Sequence, residues 1–254
     1  MNLRKKPEKT HLTLLQETID KIPTTKKEER IRNVLWKSYG KARQKITDFR
    51  LAPGNFEMAL EYAMQVHHKE KRESGLPYFT HLLTTTGIIM EHGIPDRATH
   101  IAAILHDTIE RRVDQLKEKA RKEKRDLTTE EIAKTMLKEY KHIKIKFGRT
   151  VADTVLEVTK DPVTEEFHLK TDRGFQVKMA DRYHNLTYFN SPRRQRQYLQ
   201  RTVELLNKYE FQENKRQFSK AHPKLFKSLI SQYNTRAENV HMPFITPKKL
   251  YPKN

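Results

Sequence analysis

The stretch Ile101–Arg111, IAAILHDTIER, changes within a few positions from wholly apolar to a dense cluster of ionisable side chains. Read as one helix, it places His106 and Glu110 four residues apart and Asp107 and Glu110 three apart, so all three lean toward a site beside that helix. A divalent cation would satisfy such a set. The bland alternative is a helix emerging into solvent with a His-Asp pair at its end, and the dipeptide alone does not decide between them. Two further polar clusters accompany it: Arg72-Glu73-Ser74-Gly75-Leu76-Pro77-Tyr78-Phe79-Thr80-His81 upstream, and Val177-Lys178-Met179-Ala180-Asp181-Arg182-Tyr183-His184-Asn185 downstream. Asn185 lies four residues beyond Asp181 and shares its helix face. The chain has no cysteine, which excludes disulfides, thiolate zinc sites and a cysteine nucleophile, so a metal must be held by His, Asp or Glu. There is no Walker-type or other glycine-rich phosphate loop, so a phosphate must be held by metal, side chains and basic surface.

The elements that position these residues are helical. Apolar residues recur at three- and four-residue steps, strand-type alternation is scarce, and the 7 glycines among 254 residues are scattered, all of which predicts an all-α protein. Leu12, Leu15, Ile19 and Ile22, then Ile31, Val34, Leu35, Tyr39, Ala42 and Ile46, predict an N-terminal helical pair. Ala52-Pro53-Gly54-Asn55 closes it, with a boundary near residue 51. Helices follow over Phe56–His68 and His81–Glu91 and from near Asp96. The charged stretch Asp114–Lys146 is a long surface helix or helix pair with Ile132, Met136, Leu137 and Tyr140 as its apolar stripe. Helical spacing resumes at Val151–Val158, Gln176–Phe189, Arg194–Tyr209 and Leu225–Tyr233, before a proline-containing tail from Met242. Three segments are expected: a helical extension over 1–50, the main domain over 51–210, and a helix with an irregular tail over 211–254. The absence of a long apolar run or signal sequence gives no membrane span and a cytoplasmic protein.

The net charge of +19, from 51 Lys and Arg against 32 Asp and Glu, draws in polyanions, whether RNA, a membrane surface or a highly phosphorylated nucleotide. Many cations alternate with acids, as in EKARKEKR at Glu118–Arg125, and such runs read as solvated helix faces. No RNA-binding motif stands out, so a nucleic-acid partner is not the expectation.

Taken together, the three clusters resemble the HD hydrolase domain of the RelA/SpoT family. Its pattern R-x-S-G-x-P-Y-x-x-H, then A-A-x-L-H-D-x-x-E, then K-x-A-D-R-x-H-N occurs here in order. Phe147-Gly148, Val151-Ala152 and Val158-Thr159-Lys160 fit between the last two, so the match covers about residues 51–210. The resemblance implies an all-α HD-type fold with His81, His106, Asp107 and Asp181 as metal ligands and manganese as the metal. It implies hydrolysis of the 3′-pyrophosphate of a guanosine alarmone to GDP or GTP, as in stand-alone small alarmone hydrolases. Arg72 would contact the nucleotide, where a guanidinium can stack on a purine, and Lys178 would add charge near the phosphates. Asn185 would position substrate or water, Glu110 would orient or deprotonate the water, and His67 would support the site.

The chain departs from the family at one place. Glu110 is followed by Arg111, where the family's hydrolases usually carry a second acid. Arg111 therefore either turns outward, binds the substrate's phosphates, or marks lost activity; survival of all four ligand positions favours retained activity, and a catalytic role at the phosphate end is the expectation. Alternatives are an HD phosphatase acting on ppApp or NADPH, and a non-catalytic basic nucleotide- or RNA-binding HD protein. The 1–50 extension could cover the core, bind a regulator or support a homo-oligomer.

Overall fold

The structure is a computed structural model that describes residues 54–73, 75–187, 191–210 and 222–245. The helical pair expected within 1–50, residue Phe189 and the end of the tail lie outside the described residues. Among the described residues there are nine helices and no strand. They are α1 (Gly54–Val66), α2 (Phe79–Glu91), α3 (Arg97–Leu105), α4 (Thr108–Lys122), α5 (Thr129–Phe147), α6 (Arg149–Val158), α7 (Asp172–Asn185), α8 (Pro192–Glu210) and α9 (Pro223–Glu238). The fold is all-α, as expected.

Helices α2, α3 and α7 form the centre. In α2 every residue from Phe79 to Leu83 and from Thr85 to Met90 is buried, because the helix packs on both α3 and α7. A helix covered on nearly all sides carries no amphipathic stripe. The same holds for α7, buried from Gly174 through Arg182, and explains why periodicity placed its start at Gln176 rather than Asp172. The true start is set by Thr171, whose side chain accepts a hydrogen bond from the Gly174 N–H at 3.2 Å. A Cβ at position 174 would collide with the Glu157 carboxylate. That carboxylate accepts the Lys170 and Thr171 N–H groups and the Thr171 hydroxyl, so glycine allows α6 and the entry to α7 to meet.

The charged segment after α3 is a helix pair, α4 and α5, joined by a turn whose Thr128 and Glu131 form a capping box. Met136 and Tyr140 of the expected apolar stripe pack against the core and Ile132 is half-buried, but the stripe is not the most buried part of the helix. Leu137 is exposed, and the buried residues of α5 are Glu139, Ile143 and Phe147, with Glu139 accepting from the Tyr62 hydroxyl and pairing with Arg112. The last helix, α9, joins the same core through Leu225, Phe226, Leu229, Ile230 and Tyr233 and packs on α7.

Helix α3 delivers two of the candidate ligands, and its start is fixed by Asp96. The Asp96 carboxylate accepts the Thr99 N–H at 2.9 Å and the Thr99 hydroxyl at 2.6 Å, and pairs with Arg173 of α7 at 2.7 Å. Asp96→Ala is expected to destabilise the protein by about 1–2 kcal/mol through the lost cap, a fall of roughly 2–8 °C in melting temperature. Partial burial pushes the Asp96 pKa up, but the Arg173 and Thr99 bonds outweigh it and hold the carboxyl below its ordinary value. The contribution is therefore present above the unfolded carboxylate pKa, about 4, and is lost as pH falls through the folded value. Thermal unfolding of wild type and Asp96→Ala across pH should show the gap narrowing in acid; a gap independent of pH would remove the ion pair from the account.

Candidate metal centre

The expected continuous helix through Arg111 is interrupted. Helix α3 ends at Leu105, α4 begins at Thr108, and Asp107 sits between them at φ −100°, ψ 2°. Side chains take over the carbonyls of the helix end: Nδ1 of His106 donates to Ala103 O at 2.8 Å and the Thr108 hydroxyl donates to Leu105 O at 2.7 Å. Such local bonds compete with a continuing helical ladder. The break matters for chemistry, since successive residues of an unbroken helix point about 100° apart, whereas here His106 Nε2 and Asp107 Oδ2 lie 3.0 Å apart.

His81 enters from the first turn of α2. Its Nε2 lies 3.2 Å from His106 Nε2, 3.6 Å from Asp107 Oδ2 and 3.2 Å from Asp181 Oδ1, with Asp181 supplied by α7. His81, His106 and Asp107 form the tightest trio, and Asp181 closes on it from the far side, 3.7 Å from His106 Nε2. All four candidate ligands are thus brought together, with His81 and His106 each 1% exposed.

The orientation of both imidazoles suits a metal. Because His106 Nδ1 donates to Ala103 O, Nε2 is the ring nitrogen that faces the carboxylates, and a metal bound there would displace its proton. His81 Nδ1 lies 2.6 Å from His184 Nδ1, with the rings stacked. Burial, then the neighbouring His81, holds His184 well below the usual histidine range, so His184 is the neutral acceptor and His81 Nδ1 the donor, with His81 Nε2 turned to the cluster.

Bonds of about 2.0–2.2 Å from imidazole nitrogen or carboxylate oxygen to a divalent first-row ion place neighbouring donors roughly 3.0–3.6 Å apart. The observed separations fit. Burial opposes a charged His106, yet Asp107 and Asp181 outweigh it and push its pKa up to about 10. Burial likewise works against the two carboxylates, but the imidazoles hold Asp107, and Lys178 with the imidazoles holds Asp181, well below the carboxylate range. Metal ligation would remove the imidazole protons that balance these two carboxylates, and a divalent cation would supply the positive charge in their place.

The surrounding residues are fixed by the same clusters. The loop before α2 is closed by Arg72 N–H donating to Leu76 O and by the Lys71–Pro77 bridge, with Gly75 at φ 83°. It presents the Tyr78 hydroxyl to Asp107 Oδ2 and Arg72 Nη2 to Asn185 Oδ1 at 2.8 Å. The Asn185 amide in turn donates to Asp181 Oδ1 and to the Tyr198 hydroxyl. Lys178, which a surface helix would leave solvated, is instead buried, 3.1 Å from Asp181 Oδ2 and with its ammonium 3.8 Å from the Phe167 ring centroid. Glu110 lies on α4 and accepts the Lys160 N–H at 2.9 Å. Burial, then the Asp107 charge, raises its pKa.

Arg111 is not aimed as the sequence suggested. Its Nε lies 3.3 Å from Glu70 and its Nη1 2.8 Å from Glu118. Glu70 also holds His67 at 2.7 Å, and His67 stacks on Tyr78. Arg111 is therefore connected to the cluster indirectly, by contacts that run through Glu70, His67 and Tyr78 to Asp107. Sequence reasoning missed the Tyr78 contact with Asp107, although Tyr78 stands three residues before His81 in the motif, and the part played by Tyr198, which carries no spacing signal.

His184→Leu is expected to lower metal affinity about 10–100-fold, the usual effect of removing the hydrogen-bond partner of a ligating imidazole. The buried volume is kept, so the measurement is metal titration of a folded variant. Unchanged affinity would mean that His184 does not orient His81.

Residues 59–207 match the HD domain, and the chain belongs to the HD domain family. The chain is similar to proteins named GTP pyrophosphokinase. It is 35% identical over 146 residues to the one from Streptomyces coelicolor, which covers 56% of this chain and 15% of that protein. It is 35% identical over 130 residues to "GTP pyrophosphokinase rsh" of Brucella melitensis, covering 50% of this chain and 16% of that protein. The chain thus spans about 15% of the length of the curated relatives it matches. No described helix is long and apolar enough to cross a membrane.

Proposed function

We propose that this chain is a manganese-dependent hydrolase that removes the 3′-pyrophosphate of a guanosine alarmone such as ppGpp or pppGpp, leaving GDP or GTP. The observation that carries the reading is the set of two buried imidazoles whose Nε2 atoms lie 3.2 Å apart and each 3.0–3.7 Å from the carboxylates of both Asp107 and Asp181, with Glu110 adjoining it. Oxygen and imidazole donors without sulfur suit manganese. The relatives are named for a pyrophosphokinase reaction, but this chain itself carries the His81, His106 and Asp107 cluster that could hold a metal, which supports the hydrolytic reading.

His81, His106, Asp107 and Asp181 would hold the ion. A divalent ion so held polarises a phosphoryl oxygen and makes hydroxide available at neutral pH. Glu110, fixed by the Lys160 N–H and raised in pKa by its surroundings, orients the attacking water and relays its proton. Attack at the phosphorus next to the ribose 3′ oxygen breaks that P–O bond and releases pyrophosphate. Asn185, bonded to Asp181 and Arg72, holds water or substrate beside the cluster. Arg72 swings from Asn185 onto the nucleotide, where its planar guanidinium stacks on the base. Lys178 balances Asp181, and Arg111 positions Asp107 through Glu70.

The test is turnover of ppGpp, pppGpp, ppApp and NADPH with manganese, before and after chelation. Guanosine alarmones should be turned over only with metal. Preference for ppApp or NADPH would replace the substrate while keeping the chemistry, and absence of turnover on all four would favour a non-catalytic binding protein.

A further inference from the structure

Next to the metal centre lies a second, separately built pocket. A cavity of about 250 Å³ opens between the loop after α6 and helices α7 and α8, walled by Lys160, Phe167, Arg182, Arg201, Leu205 and Lys208. Its depth and its rim differ in character. Arg182, Phe167 and Leu205 are buried, whereas the glutamates that also line it, Glu165, Glu166 and Glu204, are exposed. Lys208 is neutralised by Glu166 at 2.7 Å. Arg182 is not: only 4% exposed, it has no carboxylate partner among the described residues, and its Nε has no hydrogen-bond partner. Its guanidinium is held instead by aromatic rings, 4.5 Å from the centroid of Tyr198 and 5.9 Å from that of Phe167.

A buried cation without a counter-ion is costly unless something anionic completes it. The rings fix the guanidinium plane but leave its edge donors to be satisfied from the cavity. The volume is below the roughly 300–1,000 Å³ of pockets that enclose a whole drug-sized ligand, so it suits a phosphate or diphosphate group. The cavity is also joined to the metal centre residue by residue. Lys160 donates its N–H to Glu110, Arg182 follows Asp181 in sequence, Phe167 carries the Lys178 ammonium, and Tyr198 accepts from Asn185.

The geometry points to this cavity as the subsite for the second, non-scissile phosphate chain of the substrate, the 5′-diphosphate of the alarmone, with Arg182 as its principal cation. This rests on the proposed hydrolase reading: a substrate phosphorylated at both ends places one end at the metal ligands and the other on Arg182. Arg201 and Lys160 add charge at the mouth, and substrates without the 5′ phosphates are discriminated against.

Two measurements on the full chain test it. First, inorganic pyrophosphate is titrated calorimetrically into chelator-treated protein, in which the carboxylates of the metal centre repel anions and leave the cavity as the binding place. Wild type should bind saturably, Arg182→Met and the rim variant Arg201→Glu should weaken binding at least tenfold, and Arg182→Lys should recover part of it. Arg201 is exposed, so its variant carries the test even if Arg182→Met does not fold. Binding unaffected by the Arg201 reversal and by whichever Arg182 variants fold overturns the subsite. Second, KM is compared for ppGpp and for guanosine 3′-diphosphate with a free 5′ hydroxyl. Wild type should prefer ppGpp at least tenfold in KM, and the preference should shrink in the variants. Turnover indifferent to the 5′ phosphates overturns the subsite and leaves the hydrolase reading standing. Pyrophosphate binding that depends on Arg182 and Arg201, with no turnover of any alarmone, overturns the hydrolase reading and supports an anion site.

Discussion

Asp107→Ala is expected to abolish both metal binding and hydrolysis while leaving a folded protein. Asp107 supplies one of the three most tightly grouped donors, 3.0 Å from His106 Nε2, and is held in place by the Tyr78 hydroxyl. A ligand that binds only the native state stabilises it by about 2.7 kcal/mol at a hundred times its dissociation constant. Manganese should accordingly raise the melting temperature of wild type by roughly 5–11 °C and leave that of Asp107→Ala unchanged. Calorimetry with and without metal reads both. A variant that still responds to manganese as wild type does would remove Asp107 from the ligand set.

Glu110→Gln should separate chemistry from binding. The amide keeps the shape and can still accept the Lys160 N–H, but it can neither take a proton nor carry charge. Turnover should fall by about 10²–10⁴, with the manganese-induced rise in melting temperature intact. Loss of the metal response would make Glu110 a ligand, and near-normal turnover would leave the water without an assigned partner.

The sequence made the ligand set legible because each member sits in a cluster of unusual composition: His81 behind Gly75-Leu76-Pro77, His106 and Asp107 at the end of an apolar helix, and Asp181 four residues before Asn185. The structure gathers all four. The local geometry at the decisive pair was not legible, since an unbroken helical reading of Ile101–Arg111 hides the turn at His106–Asp107 that makes the two side chains converge. Periodicity also failed where burial is complete, as at the start of α7, and where polar residues hold the buried face, as with Glu139 on α5. Lys178 and Arg111 show a further limit. Spacing marks them as cations near the site, but their counter-ions come from elsewhere: Asp181 one turn away, and Glu70 and Glu118, of which Glu70 is distant in sequence.

The central claim is that the clustered imidazoles and carboxylates hydrolyse a 3′-pyrophosphate, and product analysis of ppGpp incubated with the manganese-loaded protein tests it most directly. Chromatography and phosphorus NMR should show equal amounts of GDP and pyrophosphate, formed without any added nucleoside triphosphate and stopped by chelation. Release of single phosphates, or formation of a guanosine polyphosphate from GTP and ATP with no hydrolysis of ppGpp, would contradict it.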